Sequence, residues 1–482
     1  MSSAANRFAL LLVTGLAAGC GAPEGVWPGG DVVLVSIDTL RADALSCYGN
    51  PRGTSPGLDR LAAGGLRFEH VLSQAPNTAT SHATLFTGLE PWTHRVANIS
   101  SLEHGTPGLH PDFVTLAEHF ADAGYHTAAL TDGGPLGASW DLLQGFQTVH
   151  AQFEDVAERV DEALELLDED DDRPLFLFVH TYEVHEPYLP PAPYLERFAG
   201  DYEGPLLEAL DEVRAEQAQA GARPNGRRML LGRESFTADD VAFLHSLYEA
   251  EVAYADAELA RLWPALIERD ALIAVTSDHG EEFGEHGEFG HKQLHVETLR
   301  VPLILRLPGG AEAGRVVTMP ISLIDLHPTL LRAAGLEPAK WTGGIDLLAL
   351  GRGEVDGGRP SFASTNEHIH PSTASVPWQR SLRTSDLTFI ESIEDGGTGR
   401  HMVTSYEASD VSEQAPIFER ELRTTDRVSL RVSGPAQLLG EHFWELEGIR
   451  QQILRDGNGV VTLRASDSKT VEELRALGYV ER

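Results

Sequence analysis

The feature of this sequence that most constrains the fold is an alternation of short apolar runs with longer helical patterns. Residues 32–37 are apolar at almost every position, as expected for a strand covered on both faces of a sheet. Further strand-like runs lie at 127–130, 175–179, 272–276 and 302–305, and helical patterns lie at 115–123, 153–167, 239–262 and 323–334. This order predicts an α/β fold with a mostly parallel sheet sandwiched by helices.

Two aspartates follow predicted strands. Asp38 comes directly after the run 32–37, and Asp278 comes two residues after the run 272–276. In parallel sheets, ligands bind just beyond the carboxyl ends of the strands. We therefore expect Asp38 and Asp278 to lie close together at one edge of the sheet.

The composition changes along the chain and predicts a division into domains. Residues 31–355 carry the α/β pattern, and residues 356–482 are richer in Ser, Thr and charged residues with short alternating runs. Runs at 381–392 and 401–406 predict hairpin strands in a smaller C-terminal antiparallel subdomain. The polar segment 202–236 predicts an insertion that flanks or caps the site.

The first 30 residues predict export and anchoring. Arg7 precedes a short apolar stretch at 8–16, which is too short to span a membrane, and small residues then lead to Cys20. We predict a lipoprotein signal peptide over 1–20, lipidation of Cys20, and a tether over 21–30. The protein would then be an exported bacterial lipoprotein, anchored to a membrane in the periplasm or at the cell surface. The alternative is an ordinary secretory signal with a coincidental cysteine.

The charge and the cysteines narrow the possible partners. The chain has 73 Asp and Glu against 37 Lys and Arg, a net charge of -36, which disfavours nucleic acid and anionic lipid surfaces as partners. An anionic substrate would have to be attracted by a local site such as a metal ion. With Cys20 lipidated, Cys47 has no partner for an intramolecular disulfide.

Polar motifs occur in four segments. They are DTLRAD (38–43), NTATSHATLFTG (77–88), HTYEVHEPY (180–188) and TSDHGEEFGEHGEFGH (276–291). Supporting segments are SCYGNPRGTSPGLDRLAAGGLRFEH (46–70), ISLIDLHPTLLRAAGL (321–336), YEASDVSEQ (406–414) and the closing EELRALGYVER. In this order the segments resemble the sulfatase family of the alkaline phosphatase superfamily, from residue 32 to the end of the chain. The resemblance implies a sulfatase-like catalytic domain over 31–355 that hydrolyses sulfuric or phosphoric esters.

The resemblance also places the nucleophile. The family motif C-x-P-S-R-x-x-L-x-T-G holds a Cys or Ser that becomes formylglycine, and alignment on Leu85, Thr87 and Gly88 puts Thr78 at that position. The hydroxyl carbon of threonine carries a methyl group, so oxidation would give a ketone and formylglycine is excluded. We predict that Thr78 itself attacks, activated by coordination to a metal. His82 stands where the family has its Arg.

The resemblance implies one divalent metal ion held by Asp38, Asp278 and His279, with Thr78 as the fourth ligand. Calcium is the usual metal of the family. Here Thr39 replaces the second Asp of the usual pair, and His279 replaces a common Asn. Fewer hard oxygens and one imidazole favour manganese or zinc.

Several histidines match or flank family positions. His185 falls where the family has its histidine acid, so we predict that it assists the leaving group, and His291 falls where a Lys or His contacts the substrate anion. His82 and Asn98 are predicted substrate contacts. The remaining candidates are expected to pack beside the site or near the surface: His180, His286 and His295.

Three functions fit these features. The favoured one is hydrolysis of a sulfate or phosphate ester, and phosphate is preferred because a phospho-threonine is open to attack by water at phosphorus, whereas a sulfo-threonine lacks the exit of a formylglycine intermediate. The second is a phosphotransferase that modifies an envelope glycan or lipid, although the chain lacks the several transmembrane helices usual in such enzymes. The third is a non-catalytic ester-binding protein, which would have no reason to retain Asp38, Asp278 and His279.

Overall fold

The computed structural model describes residues 25–97, 108–152, 155–169, 171–220, 229–230, 232–355, 359–365, 378–383, 387–393, 401–407, 413 and 418–422. The predicted signal peptide, the lipidation site Cys20 and the predicted substrate contact Asn98 lie outside these residues.

The strands and helices of the described residues are numbered here in chain order. The strands are β1 (Val32–Ile37), β2 (Leu66–Leu72), β3 (His126–Thr131), β4 (Thr148–Ala151), β5 (Leu175–Thr181), β6 (Leu272–Thr276), β7 (Glu282–Phe283), β8 (Phe289–Gly290), β9 (Arg300–Arg306), β10 (Arg315–Val317), β11 (Ile321–Ser322), β12 (Ser361–Ser364), β13 (Trp378–Arg383), β14 (Leu387–Ile393), β15 (His401–Glu407) and β16 (Phe418–Leu422). The helices are α1 (Pro56–Ala63), α2 (Thr78–Thr87), α3 (Pro91–His94), α4 (Leu116–Asp122), α5 (Val156–Leu167), α6 (Ala192–Phe198), α7 (Leu206–Ala220), α8 (Ala238–Leu259), α9 (Trp263–Glu268), α10 (Val296–Leu299), α11 (Leu326–Ala333) and α12 (Leu347–Gly351).

A large, mostly parallel sheet forms the centre of the molecule. Its strand order is β10-β2-β9-β6-β1-β5-β3-β4, with β11 also paired to β2. The central strand β1 is parallel to both β5 and β6, and β3 and β4 continue in parallel, whereas β9 is antiparallel to β6 and β2. The predicted α/β class is therefore confirmed.

The sheet is covered on both faces, which explains why β1 is apolar throughout. Val32 and Leu34 belong to one core cluster, and Val33, Val35 and Ile37 belong to another, because successive side chains of a strand point to opposite faces. Helices α2, α4 and α11 contribute to the first cluster, and α1, α5 and α8 contribute to the second. The helical patterns read from the sequence correspond to α4, α5, α8 and α11.

A second, smaller sheet lies in the C-terminal part of the chain. Strands β12 to β16 pair antiparallel in sequential order. The predicted run 381–392 covers parts of β13 and β14, and the run 401–406 lies within β15. The predicted antiparallel subdomain is confirmed. Across the helices of the described part, none combines the length and the apolar character needed to cross a membrane.

Candidate active site and metal cluster

The carboxyl ends of three central strands bring the predicted site together. Ser36 of β1 is opposite His180 of β5 and Thr276 of β6, so the residues that follow these positions reach the same edge of the sheet. The backbone N–H of Asp38 donates to the carbonyl of Thr181 at 3.0 Å, which keeps Asp38 beside the end of β5. The expectation that Asp38 and Asp278 meet at this edge is confirmed.

Asp38, Asp278 and His279 form a buried cluster. Each offers one potential ligand atom, and these atoms lie within 4.8 Å of one another. His279 Nε2 lies 3.4 Å from Asp278 Oδ2 and 3.8 Å from Asp38 Oδ1. The other ring nitrogen, Nδ1, donates to the carbonyl of Gly280 at 3.0 Å, so Nε2 carries the lone pair of the neutral ring.

The buried acceptor atoms of this cluster are suited to hold a cation. Within the described part of the chain, neither His279 Nε2 nor Asp278 Oδ2 has a hydrogen-bond partner, although both are fully buried. A lone pair and two carboxylates that face one another away from water are unfavourable unless a positive charge lies among them. Carboxylate oxygen and imidazole nitrogen are ligands for manganese and zinc. The residues present therefore fit the divalent metal of the sequence prediction.

Thr39, directly after Asp38, is held in an unusual backbone conformation. Its φ is +55°, in the left-handed region that a β-branched residue rarely adopts. Its backbone N–H donates to Asp278 Oδ1 at 3.4 Å, and its carbonyl accepts from the Tyr248 hydroxyl at 2.9 Å. The strained turn thus ties the end of β1 to the aspartate that follows β6.

Thr78 lies at the first position of α2, next to the cluster. Asn77 caps the helix, because its side chain accepts from the backbone N–H of Thr80 at 3.2 Å. The Thr78 hydroxyl is fully buried and donates to Asp38 Oδ2 at 3.2 Å. A helix start carries partial positive charge, which favours negative charge developing on this hydroxyl.

His82, one turn further along α2, supports the helix start. Its Nε2 lies 3.0 Å from the Ser36 hydroxyl, and its Nδ1 lies 2.9 Å from the carbonyl of Thr78 and 3.5 Å from Asp278 Oδ2. Burial lowers the pKa of His82 to about 4, so the ring is neutral near pH 7. The predicted contact of His82 with substrate would require one of these internal bonds to break.

His180 packs directly beside the cluster. Its Nε2 is 3.3 Å from Asp38 Oδ2, and its ring packs edge-on against His82 with centroids 5.1 Å apart. Burial lowers the pKa of His180 to about 3. The feature of the sequence that could have predicted this contact is the place of His180 at the end of β5, which pairs with the strand that Asp38 follows.

His185 and His291 extend the site away from the sheet. The ring of His291 lies 4.5 Å from that of His279 and 5.1 Å from that of His185, measured between centroids. His185 Nδ1 donates to the carbonyl of Glu186 at 2.7 Å, and His291 Nδ1 lies 3.1 Å from Glu281 Oε1. Burial raises the pKa of Glu281 to about 8.

These histidines differ in exposure. The side chain of His291 is 10% exposed, whereas those of His185 and His279 are fully buried. The structure thus brings seven predicted site residues into one region: Asp38, Thr78, His82, His185, Asp278, His279 and His291. Their individual roles stay predictions.

Comparisons with known proteins agree with this arrangement. The sequence model of the sulfatase family matches residues 30–336, and the model named N-sulphoglucosamine sulphohydrolase, C-terminal, matches residues 284–396. The chain is 28% identical to the uncharacterized sulfatase YidJ of Escherichia coli (strain K12) over 368 residues, which are 66% of this chain and 70% of that protein.

Solved structures share the fold. The phosphonate monoester hydrolase of Agrobacterium radiobacter superposes with a TM-score of 0.64 at 24% identity, over 88% of this chain and 96% of that chain. A structure of the protein BT4656 with its substrate D-glucosamine-2-N,6-O-disulfate superposes with a TM-score of 0.65 at 19% identity, over 88% of this chain and 98% of that chain.

Proposed function

Because the chain belongs to the sulfatase family of the alkaline phosphatase superfamily and is an ester hydrolase of that family, we propose that it cleaves phosphoryl esters with Thr78 as the nucleophile. The observation that carries the proposal is the buried Thr78 hydroxyl, 3.2 Å from Asp38 Oδ2 and at the start of α2. Its proton has an acceptor, and its oxygen lies where negative charge is favoured.

Asp38, Asp278 and His279 would hold the metal ion, with Thr78 as a fourth ligand, and manganese or zinc is the proposed metal. When bound, the ion would neutralise charge on the ester and lower the pKa of the Thr78 hydroxyl. The turn at Thr39 and the hydrogen bonds of His82 keep this group of residues in place before the substrate arrives.

In the first step, the bond from Thr78 Oγ1 to phosphorus forms as the bond from phosphorus to the ester oxygen breaks. The hydroxyl proton passes to Asp38, which already accepts its hydrogen bond. Protonated His185 gives a proton from Nε2 to the leaving oxygen, because its Nδ1 is engaged by the carbonyl of Glu186. His291, the more exposed of these imidazoles, contacts the anion as it enters.

In the second step, water attacks phosphorus and the bond to Thr78 Oγ1 breaks. His185, now neutral, takes the proton of the water, and Asp38 returns its proton to Thr78. Phosphate or phosphonate is released, and both side chains recover their starting protonation states. Asp38 thus accepts a proton in the first step and donates it in the second, and His185 does the opposite.

The threonine is the reason for preferring a phosphoryl ester over a sulfate ester. A sulfated threonine could lose its group only through attack on sulfur, whereas a formylglycine intermediate expels sulfate from carbon. Attack of water on a phosphorylated threonine is ordinary phosphoryl transfer. Phosphonate monoester hydrolase activity occurs on this fold, in the Agrobacterium radiobacter enzyme.

The test of this proposal is the fate of Thr78. The purified protein would be assayed with each metal on matched aryl phosphate, phosphonate monoester, phosphodiester and sulfate esters. Thr78→Ala should reduce turnover by roughly 10⁴-fold or more, because removal of an attacking group abolishes the covalent route. Thr78→Ser should keep part of the activity, since a primary hydroxyl can attack in the same way.

Quenched reactions should add phosphoryl mass to the peptide that contains Thr78. Release of the group to water supports the hydrolase, and release only to an added alcohol or glycan would indicate a phosphotransferase instead. Wild-type turnover by Thr78→Ala would refute the nucleophile and point to direct attack by water. Binding of esters without any turnover would indicate a non-catalytic binding protein.

We also propose that the protein is exported and anchored by a lipid on Cys20, on the basis of Arg7, the apolar stretch 8–16 and the small residues before the cysteine. Mass spectrometry of the mature amino terminus should find a lipidated Cys20. Cys20→Ser should release the protein from the membrane fraction. A mature chain that begins at another residue would contradict this proposal.

A further inference from the structure

A second group of potential ligand side chains, buried except for the partly exposed His286, lies in the segment that follows His279. Glu282 begins β7, which pairs antiparallel with β8, and His286 lies between these two short strands. His295 lies directly before α10. The potential ligand atoms of these three residues lie within 4.8 Å of one another, and none of the three belongs to the Asp38 cluster.

Glu282 is the most deeply buried member of this group. Only 1% of its surface is exposed, and within the described residues neither carboxylate oxygen has a hydrogen-bond partner. An ionised carboxylate in this position is costly unless a positive charge accompanies it.

The two imidazoles of this group lie face to face. The rings of His286 and His295 are stacked with centroids 3.6 Å apart and planes 7° from parallel. Two protonated rings at this separation would repel each other, whereas neutral imidazole is the form that binds metals. Each ring also has a carboxylate beside it: Glu297 Oε2 is 3.0 Å from His286 Nε2, and Glu413 Oε2 is 3.5 Å from His295 Nδ1. Carboxylates in these positions commonly orient metal-binding histidines.

We propose that Glu282, His286 and His295 bind a second, structural divalent metal ion. One carboxylate and two imidazoles form a ligand set that zinc accepts, so zinc is the expected metal.

The proposed ion would hold the segment 282–295, which carries His291, in its folded-back form, and Glu413 ties this segment to the C-terminal subdomain. His291 lies in sequence between His286 and His295. Glu413, beside His295, accepts from the backbone N–H of Val296 at 3.1 Å and pairs with Arg383 of β13 at 3.0 Å. An ion held by this segment would therefore keep His291 next to His279 without taking part in the reaction.

The test is the number of zinc ions bound by each variant after zinc loading and desalting, measured by elemental mass spectrometry. The wild-type protein should hold two ions per chain, and Glu282→Gln should hold one. Glu288→Gln is the matched control, because it neutralises an exposed carboxylate of the same hairpin whose side chain is 51% exposed, and it should hold two. Asp278→Asn should hold one, from loss of the other ion.

Equal zinc content in the wild-type protein and Glu282→Gln would overturn the proposal. If Glu282→Gln does not fold, anomalous diffraction from zinc-loaded wild-type crystals decides the question. A peak above the zinc edge among Glu282, His286 and His295 supports the site, and no peak there refutes it. Zinc in this position alone would support the second site and contradict the metal of the proposed function, so the two proposals fail separately.

Discussion

The two clusters of potential metal ligands in the described chain are built in opposite ways. Asp38 and Asp278 follow two different strands of the central sheet, and the sheet topology alone makes them neighbours. Glu282, His286 and His295 come from one continuous segment that contains the short β7–β8 hairpin. The first cluster is fully buried, and the second is buried except for the partly exposed His286. Both combine carboxylate with imidazole, so their ligand chemistry is similar.

The two clusters differ in the residues that surround their potential metal ligands. The Asp38 cluster has a hydroxyl beside it, that of Thr78, and the ring of His291 packs against His279. The other cluster has the carboxylates of Glu297 and Glu413 beside its imidazoles. A buried hydroxyl beside the first cluster suits its proposed catalytic role, whereas the carboxylates beside the second suit its proposed structural role.

The largest difference is expected when one ligand is neutralised in each cluster. Asp278→Asn should lower kcat/KM for an aryl phosphate by more than about 100-fold, because even residues that only orient metal ligands cost 10- to 100-fold when changed. Glu282→Gln should lower it by less than about 10-fold, since its ion is proposed to support a loop and not to contact the ester. Steady-state kinetics with zinc or manganese in excess measures both.

A comparable loss of activity in the two variants would break this distinction, provided that both retain native circular dichroism. It would mean that the second cluster also acts on substrate. Full activity in Asp278→Asn would instead remove the metal from the proposed reaction.

A smaller difference is expected for the histidines. His185→Gln should reduce kcat by about 100-fold for an ester with a poor leaving group, because general acid catalysis contributes at least that much. The loss should shrink for a nitrophenyl ester, whose leaving oxygen needs no proton. His295→Gln makes the same change in a residue of the second cluster and should affect both esters equally. Equal losses for the two esters in His185→Gln would contradict its role as the acid.

The sequence predicted five of the nine strands that the described residues place in the central sheet, but not the direction of every strand. The runs 32–37 and 272–276 coincide with β1 and β6, because a strand buried on both faces is apolar throughout. Strand β2 was missed, since its burial alternates along LRFEHVL and the apolar signal is weaker. The antiparallel direction of β9 depends on how distant segments connect, which local patterns do not encode.

The candidate site was predicted unevenly for a related reason. Asp38 and Asp278 were found because strand ends meet at one edge, a rule that needs no detailed geometry. The contact of His180 with Asp38 depends on the register of β5 against β1, which the sequence does not give. The second cluster escaped notice because its ligands meet only when the segment from 282 to 295 folds back on itself, and their spacing matches no familiar metal motif.

The smallest expected effect concerns which metal the first cluster prefers, and it tests whether the two clusters are alike in this respect. Thr39→Asp would add a carboxylate directly after Asp38, and aspartate tolerates the left-handed backbone there better than threonine does. An added hard oxygen should raise calcium affinity relative to zinc by about tenfold at this cluster. Zinc at Glu282, His286 and His295 should be unchanged.

Thr39→Asn is the control of equal shape without the charge, and it should leave the metal preference of the first cluster unchanged. If Thr39→Asn and Thr39→Asp shift the preference between calcium and zinc equally, relaxation of the backbone is responsible and not the carboxylate. If neither shifts it, the side chain at position 39 does not reach the ion, and the proposed preference for zinc or manganese must rest on His279 alone.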